Sequence, residues 1–151
     1  MAKNVIYAGP AGKCAQKVEA LAGEAGLLPG MLLVKSSGEF IKHATAGQGG
    51  AVFCANVDFC KQTGVSDAYT DGDTVQAFNP VTGEYYNMLV ATSQNITAVD
   101  TPLTSNGAGL LRIALTTGAE EVLFYADEIV NTAATTSVRV RVAQFGINKL
   151  A

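Results

Sequence analysis

Apolar and polar residues alternate with a period of two in several short stretches of this chain. In Ser137-Val138-Arg139-Val140-Arg141-Val142 the valines fall on one face and the arginines on the other. Successive side chains of a strand point to opposite faces, so this alternation predicts a half-buried strand. Leu111-Arg112-Ile113-Ala114-Leu115 repeats the pattern, with Leu111, Ile113 and Leu115 expected inward. Within residues 84–91, Tyr86, Met88 and Val90 are expected inward and Tyr85 on the other side. Turn residues separate these runs. Ser36-Ser37-Gly38 lies between the apolar run 31–34 and Glu39-Phe40-Ile41, the signature of a hairpin. Asn79-Pro80-Val81-Thr82-Gly83 joins 74–78 to 84–91, and Asp71-Gly72 and Asn106-Gly107 are further turn dipeptides. Short strands at this spacing predict an all-β fold, a small β-barrel or β-sandwich.

Two segments carry both periods. Residues 13–25 place Cys14, Val18, Leu21 and Ala25 at helical spacing, but Gly23 interrupts them and Gly26 follows, and their type stays open. Residues 120–130 place Val122, Tyr125, Ala126 and Ile129 on one helical face, yet their β-forming composition favours a strand. At the N-terminus an apolar patch, Val5-Ile6-Tyr7, precedes Gly9-Pro10-Ala11-Gly12. Glycine and proline there deny a regular element, so residues 1–12 read as an extended N-terminal arm before a single β-rich domain over 13–151. A frayed terminus is the plain alternative. The apolar patch favours a docking arm, because such residues on a free arm need cover.

Composition narrows the function classes. A length of 151 residues fits one domain with a substantial core. Charged residues are only 15% of the chain, against about 25% in ordinary globular domains. The surface is therefore built from small polar residues, or part of it is covered by a partner. The formal net charge is −3 and no basic run occurs, so the cationic footprint that nucleic-acid binding needs is missing. No signal-peptide core and no run of about 20 apolar residues appears, so neither secretion nor a membrane span is expected. Three cysteines, Cys14, Cys54 and Cys60, read as reduced thiols of a protein made and assembled inside a cell.

Each candidate for chemistry has a simpler explanation. Gly12-Lys13-Cys14 ends like a phosphate-binding loop, but Tyr7 stands where the motif needs glycine and Cys14 where it needs a hydroxyl. Asp67, Asp71 and Asp73 surround a glycine turn, but Tyr69 occupies a ligand position of a calcium loop and Phe78 the closing one. Cys54 and Cys60 are too widely spaced for a zinc pair, and His43 is the only histidine, so the cysteines read as small buried hydrophobes. Glu120-Glu121 and Asp127-Glu128 are neighbours, which point to opposite sides of a strand and cannot cooperate as acid and base. No enzyme activity, cofactor or metal is expected. Tyr86 reads as core filling.

Three segments, taken in order, resemble a known family. Leu27-Leu28-Pro29-Gly30-Met31-Leu32-Leu33-Val34 is similar to the apolar-Pro-Gly-apolar lead into the first hairpin of the head decoration proteins of tailed bacteriophages. Val65-Ser66-Asp67-Ala68-Tyr69-Thr70-Asp71-Gly72-Asp73-Thr74-Val75 resembles their Asp-x-Tyr-x-x-Gly-Asp-x-Val segment. Thr101-Pro102-Leu103-Thr104-Ser105-Asn106-Gly107-Ala108-Gly109-Leu110-Leu111 is similar to their turn before a late strand, and the valine–arginine strand closes the pattern. The resemblance runs from Leu27 to Val142. It implies a small barrel or sandwich that cements the outer surface of a capsid and is made in the host cytoplasm. Its partners would be the major capsid protein of the phage head and further copies of itself, as a dimer or trimer, with no nucleic acid and no membrane. The arm of such proteins orders on the shell, which makes Asn4, Val5, Ile6 and Tyr7 the expected capsid contacts. Deleting residues 1–12 should then leave the domain folded and weaken binding. The competing readings are a ligand-binding β-barrel, another non-enzymatic virion protein, and a β-rich nucleotide hydrolase whose sites form between subunits. For the last, the chain lacks the required aspartate and glycine-rich set.

Overall fold

The computed structural model describes residues 3–58, 61, 63–116 and 119–143. Among them the chain forms thirteen strands and no helix. In order these are β1 (Tyr7–Gly9), β2 (Lys17–Leu21), β3 (Leu32–Ser36), β4 (Glu39–Lys42), β5 (Val52–Ala55), β6 (Thr74–Phe78) and β7 (Tyr85–Val90). They continue with β8 (Asn95–Ile96), β9 (Pro102–Ser105), β10 (Leu111–Ile113), β11 (Phe124–Ala126), β12 (Val130–Asn131) and β13 (Thr136–Val142).

Strand β13 does what its alternation predicts. It pairs antiparallel with β7 from Thr136↔Val90 to Arg141↔Tyr85. Val138, Val140 and Val142 are buried on the same core as Tyr86, Met88 and Val90, while Arg139 stays exposed. On its other side β13 pairs with β11, which pairs with β9, then β10, then β7 again. Strands β7, β10, β9, β11 and β13 thus close into a five-stranded barrel. All neighbours are antiparallel except β10 and β7, which meet in parallel at Leu111↔Val90. Strand β1 lies outside the ring, paired with the first half of β7. A barrel of five strands is narrow, and its core is filled by Tyr86, Met88, Leu103, Leu111, Phe124 and Val138, all fully excluded from solvent.

A second five-stranded antiparallel sheet runs β2-β6-β5-β3-β4. A bridge between Ala22 and Phe40 draws its two outer strands together. The middle strands of this sheet, β3, β5 and β6, are buried on both faces. Leu32, Val52, Cys54 and Phe78 join the barrel core, whereas Leu33, Phe40, Ala55, Val75 and Ala77 form a second core with Leu27 and Tyr69. Burial on both faces explains why 31–34 and 52–55 are continuous apolar runs instead of alternating ones. Strands β8 and β12 make a separate small ribbon.

Several expectations need revision. Gly9 and Pro10 do not deny residues 1–12 a regular element, because Tyr7–Gly9 is β1; the strand stops at them and takes its partner from β7. Residues 13–25, left open, contain β2, whose hydrogen-bonded partner is β6 over its whole length. The run 111–115 ends early: Leu111 is buried, Ile113 half-buried and Leu115 54% exposed. The Leu115 N–H donates to the Glu120 carboxylate at 2.7 Å, which takes that backbone out of the ladder. The strand expected within 120–130 is present as β11 and β12. The hairpin at 36–38 is the β3–β4 turn, with Ser37 and Gly38 both at positive φ (51° and 89°), as a two-residue type I′ turn requires. The turn 79–83 carries the chain from one sheet to the other.

Candidate functional site

The four residues expected to contact a capsid are held on the flank of β7. Asn87 grips the segment twice: its backbone N–H donates to the Ile6 carbonyl at 2.7 Å, and its side-chain amide donates to the Val5 carbonyl at 2.8 Å. Asn4 and Val5 are exposed, Tyr7 is half-buried, and Ile6 is buried in the barrel core cluster. The alternation follows from the extended backbone, which turns every second side chain inward. The Tyr7 ring stands edge-on to Tyr86 at 5.4 Å and tilted over Phe78 at 5.9 Å, and its hydroxyl donates to the Pro10 carbonyl. Below it, the buried Glu84 carboxylate accepts from the Tyr86 hydroxyl at 2.6 Å and from the Val81 N–H. Burial, followed by the Glu84 contact, pushes the Tyr86 phenol well above its ordinary range and keeps it protonated.

A groove of about 520 Å³ opens between this segment and the start of β2. Val5, Tyr7, Cys14, Ala15, Asn56 and Phe78 are among the residues that line it. Lys17 lies over the Phe78 ring with its ammonium 5.9 Å from the centroid, and Lys13 also borders the opening. Asn56 is 1% exposed, and among the described residues its side-chain nitrogen has no hydrogen-bond partner. Sequence reading reached Val5 and Tyr7 but not Asn56 or Phe78. Asn56 follows an apolar strand directly, which in a sequence looks only like the strand's end.

The other candidates are committed elsewhere. His43 is buried, with Nδ1 2.8 Å from Ser105 Oγ and Nε2 3.2 Å from the Gly49 carbonyl. A carbonyl only accepts, so Nε2 carries the proton and Ser105 donates to Nδ1. Ser105 Oγ in turn accepts from the Gly107 N–H. The pair has a serine–histidine spacing, but both residues are closed to solvent and both ring nitrogens are used, so it fastens loops together. Asp67 accepts from Gly64 N–H, and Asp73 accepts from the Thr70 N–H and hydroxyl and pairs with Lys61 at 2.5 Å. Among the described residues no cluster of three His, Cys, Asp or Glu side chains is placed to hold a metal. Cys54 is fully buried and burial pushes its thiol up; Cys14 is exposed, and Cys60 lies outside the described residues. Glu120 pairs with Arg112 through both oxygens while Glu121 accepts from Gly49 N–H, so these neighbours serve different partners.

The first of the three segments that carry the sequence resemblance touches each of the other two. The Tyr69 N–H donates to the Leu27 carbonyl, the Gly26 N–H donates to the Tyr69 carbonyl, and the Tyr69 hydroxyl donates to the Asn56 carbonyl. Leu32 N–H donates to the Gly109 carbonyl at 2.8 Å. Gly30 spans the two sheets, donating to Ala55 and accepting from Leu89. In comparisons with known proteins, no family model matches the chain and no curated protein matches it.

Proposed function

We propose that this chain is a structural virion protein that binds the outer surface of a tailed-phage capsid and stabilises it, acting as a decoration or cement protein. The observation that carries the reading is the ordered set of three segments between Leu27 and Val142 that resemble head decoration proteins. It gains support from the architecture: a compact all-β body with a filled barrel, and an N-terminal segment laid along its flank with Asn4 and Val5 outward. The partner is the major capsid protein, with further copies of this chain as a dimer or trimer. Asn4, Val5 and the outer edge of Tyr7 make the contact, and Ile6 anchors the segment to the body. Cementing needs only modest contacts at each site, because avidity over a repeated lattice multiplies them.

The test is sedimentation of the purified protein with expanded and unexpanded capsids. The protein is expected in the pellet with expanded shells, and Val5→Asp should return it to the supernatant. Failure to pellet with either form of capsid overturns the reading.

A further inference from the structure

We propose that Asn106 is a site of self-catalysed deamidation, with the Gly107 amide as nucleophile and Ser105 and His43 as its proton relay. Asn106-Gly107 is the one Asn-Gly pair of the chain, and it lies in the turn between β9 and β10. Gly107 sits at φ +82°, and an added Cβ would lie 3.2 Å from both the Ala44 carbonyl oxygen and the Ala46 nitrogen, so the turn holds glycine there. A backbone amide can attack the side-chain carbonyl carbon of the asparagine before it, closing a five-membered ring. Two things slow that attack: the amide must lose its proton, and the carbonyl oxygen must take up negative charge. This turn meets both needs. The Gly107 N–H donates to Ser105 Oγ at 3.1 Å, and the Ser105 hydroxyl donates to His43 Nδ1 at 2.8 Å. A proton leaving Gly107 therefore has a continuous path to the imidazole. The Ala108 and Leu110 N–H groups both donate to Asn106 Oδ1, at 2.8 and 3.1 Å, where charge develops as Cγ becomes tetrahedral. The frame is fixed by the Asn106 N–H on the Leu110 carbonyl and the Gly47 N–H on the Ser105 carbonyl. Asn106 and Gly107 are half-buried and Ala108 is exposed, so solvent water reaches the turn.

The reaction balances with water alone. Gly107 nitrogen gives its proton to Ser105 as Ser105 passes its own to His43, and the freed electron pair bonds to Asn106 Cγ. The Cγ–Nδ2 bond then breaks, and ammonia leaves with a proton returned by the relay. Solvent water opens the resulting succinimide at either carbonyl, leaving aspartate or isoaspartate at position 106. The aspartate product keeps the two N–H bonds of the turn on a charged acceptor, which strengthens them. The isoaspartate product lengthens the main chain of a turn whose Gly109 carbonyl accepts from the Leu32 N–H. This inference stands independently of the capsid reading, and its failure would leave co-sedimentation with capsids unaffected.

The test is to incubate the full chain at neutral pH and follow position 106 by peptide mass mapping, once folded and once unfolded in guanidinium chloride. The unfolded chain keeps the Asn-Gly pair but loses the relay and the two fixed donors. The folded chain should convert Asn106 at least about tenfold faster, since proton relay and oxyanion donors each supply factors of that order or more. Ser105→Ala should slow the folded chain about tenfold or more, and Ser105→Thr, which restores a hydroxyl, should recover much of the rate. His43→Gln separates relay from scaffold. Its side-chain amide accepts from the Ser105 hydroxyl and donates to the Gly49 carbonyl, as the imidazole does, but it takes up no proton. It should slow conversion by a similar factor while leaving the denaturation midpoint near that of the natural protein. If Ser105→Ala folds poorly, the comparison of folded and unfolded natural chain still decides. Conversion at Asn106 that is as fast or faster in guanidinium overturns the proposal. So does a folded His43→Gln protein that reacts at the natural rate.

Discussion

His43 and Ser105 stand 62 positions apart in the chain, yet they share one buried hydrogen bond at 2.8 Å. Removing the imidazole leaves the Ser105 O–H without its acceptor, although Ser105 Oγ still accepts from the Gly107 N–H, and takes the ring N–H from the Gly49 carbonyl. His43→Ala should therefore lower the unfolding free energy by about 1–3 kcal/mol, read from urea titration. Asp73 makes a pH-dependent contribution. The Lys61 ammonium, then the Thr70 N–H and hydroxyl, hold its carboxyl down at about 2. An unfolded aspartate titrates near about 3.9. The folded value is the lower one, so the contribution is present above the unfolded value and fades as pH falls from about 4 towards 2. Thermal melts in that acid window should show a shallower loss of stability for Asp73→Asn than for the natural protein. At this scale the sequence was partly legible. Tyr86 and Cys54 read correctly as buried, because their neighbours alternate or are apolar. The partners of His43, Glu120 and Asn56 were not legible, since each is supplied by a loop far along the chain.

Strands whose one face is buried announce themselves by alternation, and β7 and β13 were readable for that reason. Strand β2 was not. Its burial alternates only between exposed and half-buried, and pairing with β6, not a local apolar stripe, makes it a strand. Strand β1 is three residues long and borders a proline, so nothing local distinguishes it from an arm. Its integration changes what truncation should do. Ile6→Ala should lower stability by about 2–5 kcal/mol, as for other buried isoleucines, while Val5→Ala should change it by only about 0.5 kcal/mol. Deleting residues 1–12 should then lower the melting temperature measurably as well as weaken capsid binding, since it uncovers Tyr86 and Phe78. Gly30 is the corresponding test of the Pro-Gly segment. It sits at φ +84° and an added Cβ would lie 3.1 Å from the Asn87 carbonyl, in the strand it hydrogen-bonds. Gly30→Ala should destabilise by more than about 1 kcal/mol in the same urea titration.

For the molecule as a whole, the all-β class followed from alternation and turn chemistry, but the closure of the barrel did not. Closure depends on β13 finding β7 and β11 finding β9, pairings between distant segments that leave no mark on local sequence. The groove was half legible, through the apolar patch Val5-Ile6-Tyr7, and half hidden, because Phe78 and Asn56 reach it from the other sheet. Contacts of such long sequence separation also predict slow folding. Refolding from urea, followed by tyrosine fluorescence, should take milliseconds to seconds instead of microseconds.

Strand β7 is held by β13 along one side and by β1 and then β10 along the other. A ribosome supplies β1 early and β13 only near residue 142. Until then the nascent chain carries bare edges on both β7 and β11, each able to accept a strand from a neighbouring chain. Polysomes making this protein are thus places of transient stickiness, and a chain arrested before residue 136 is a candidate for co-aggregation with its siblings and for capture by chaperones.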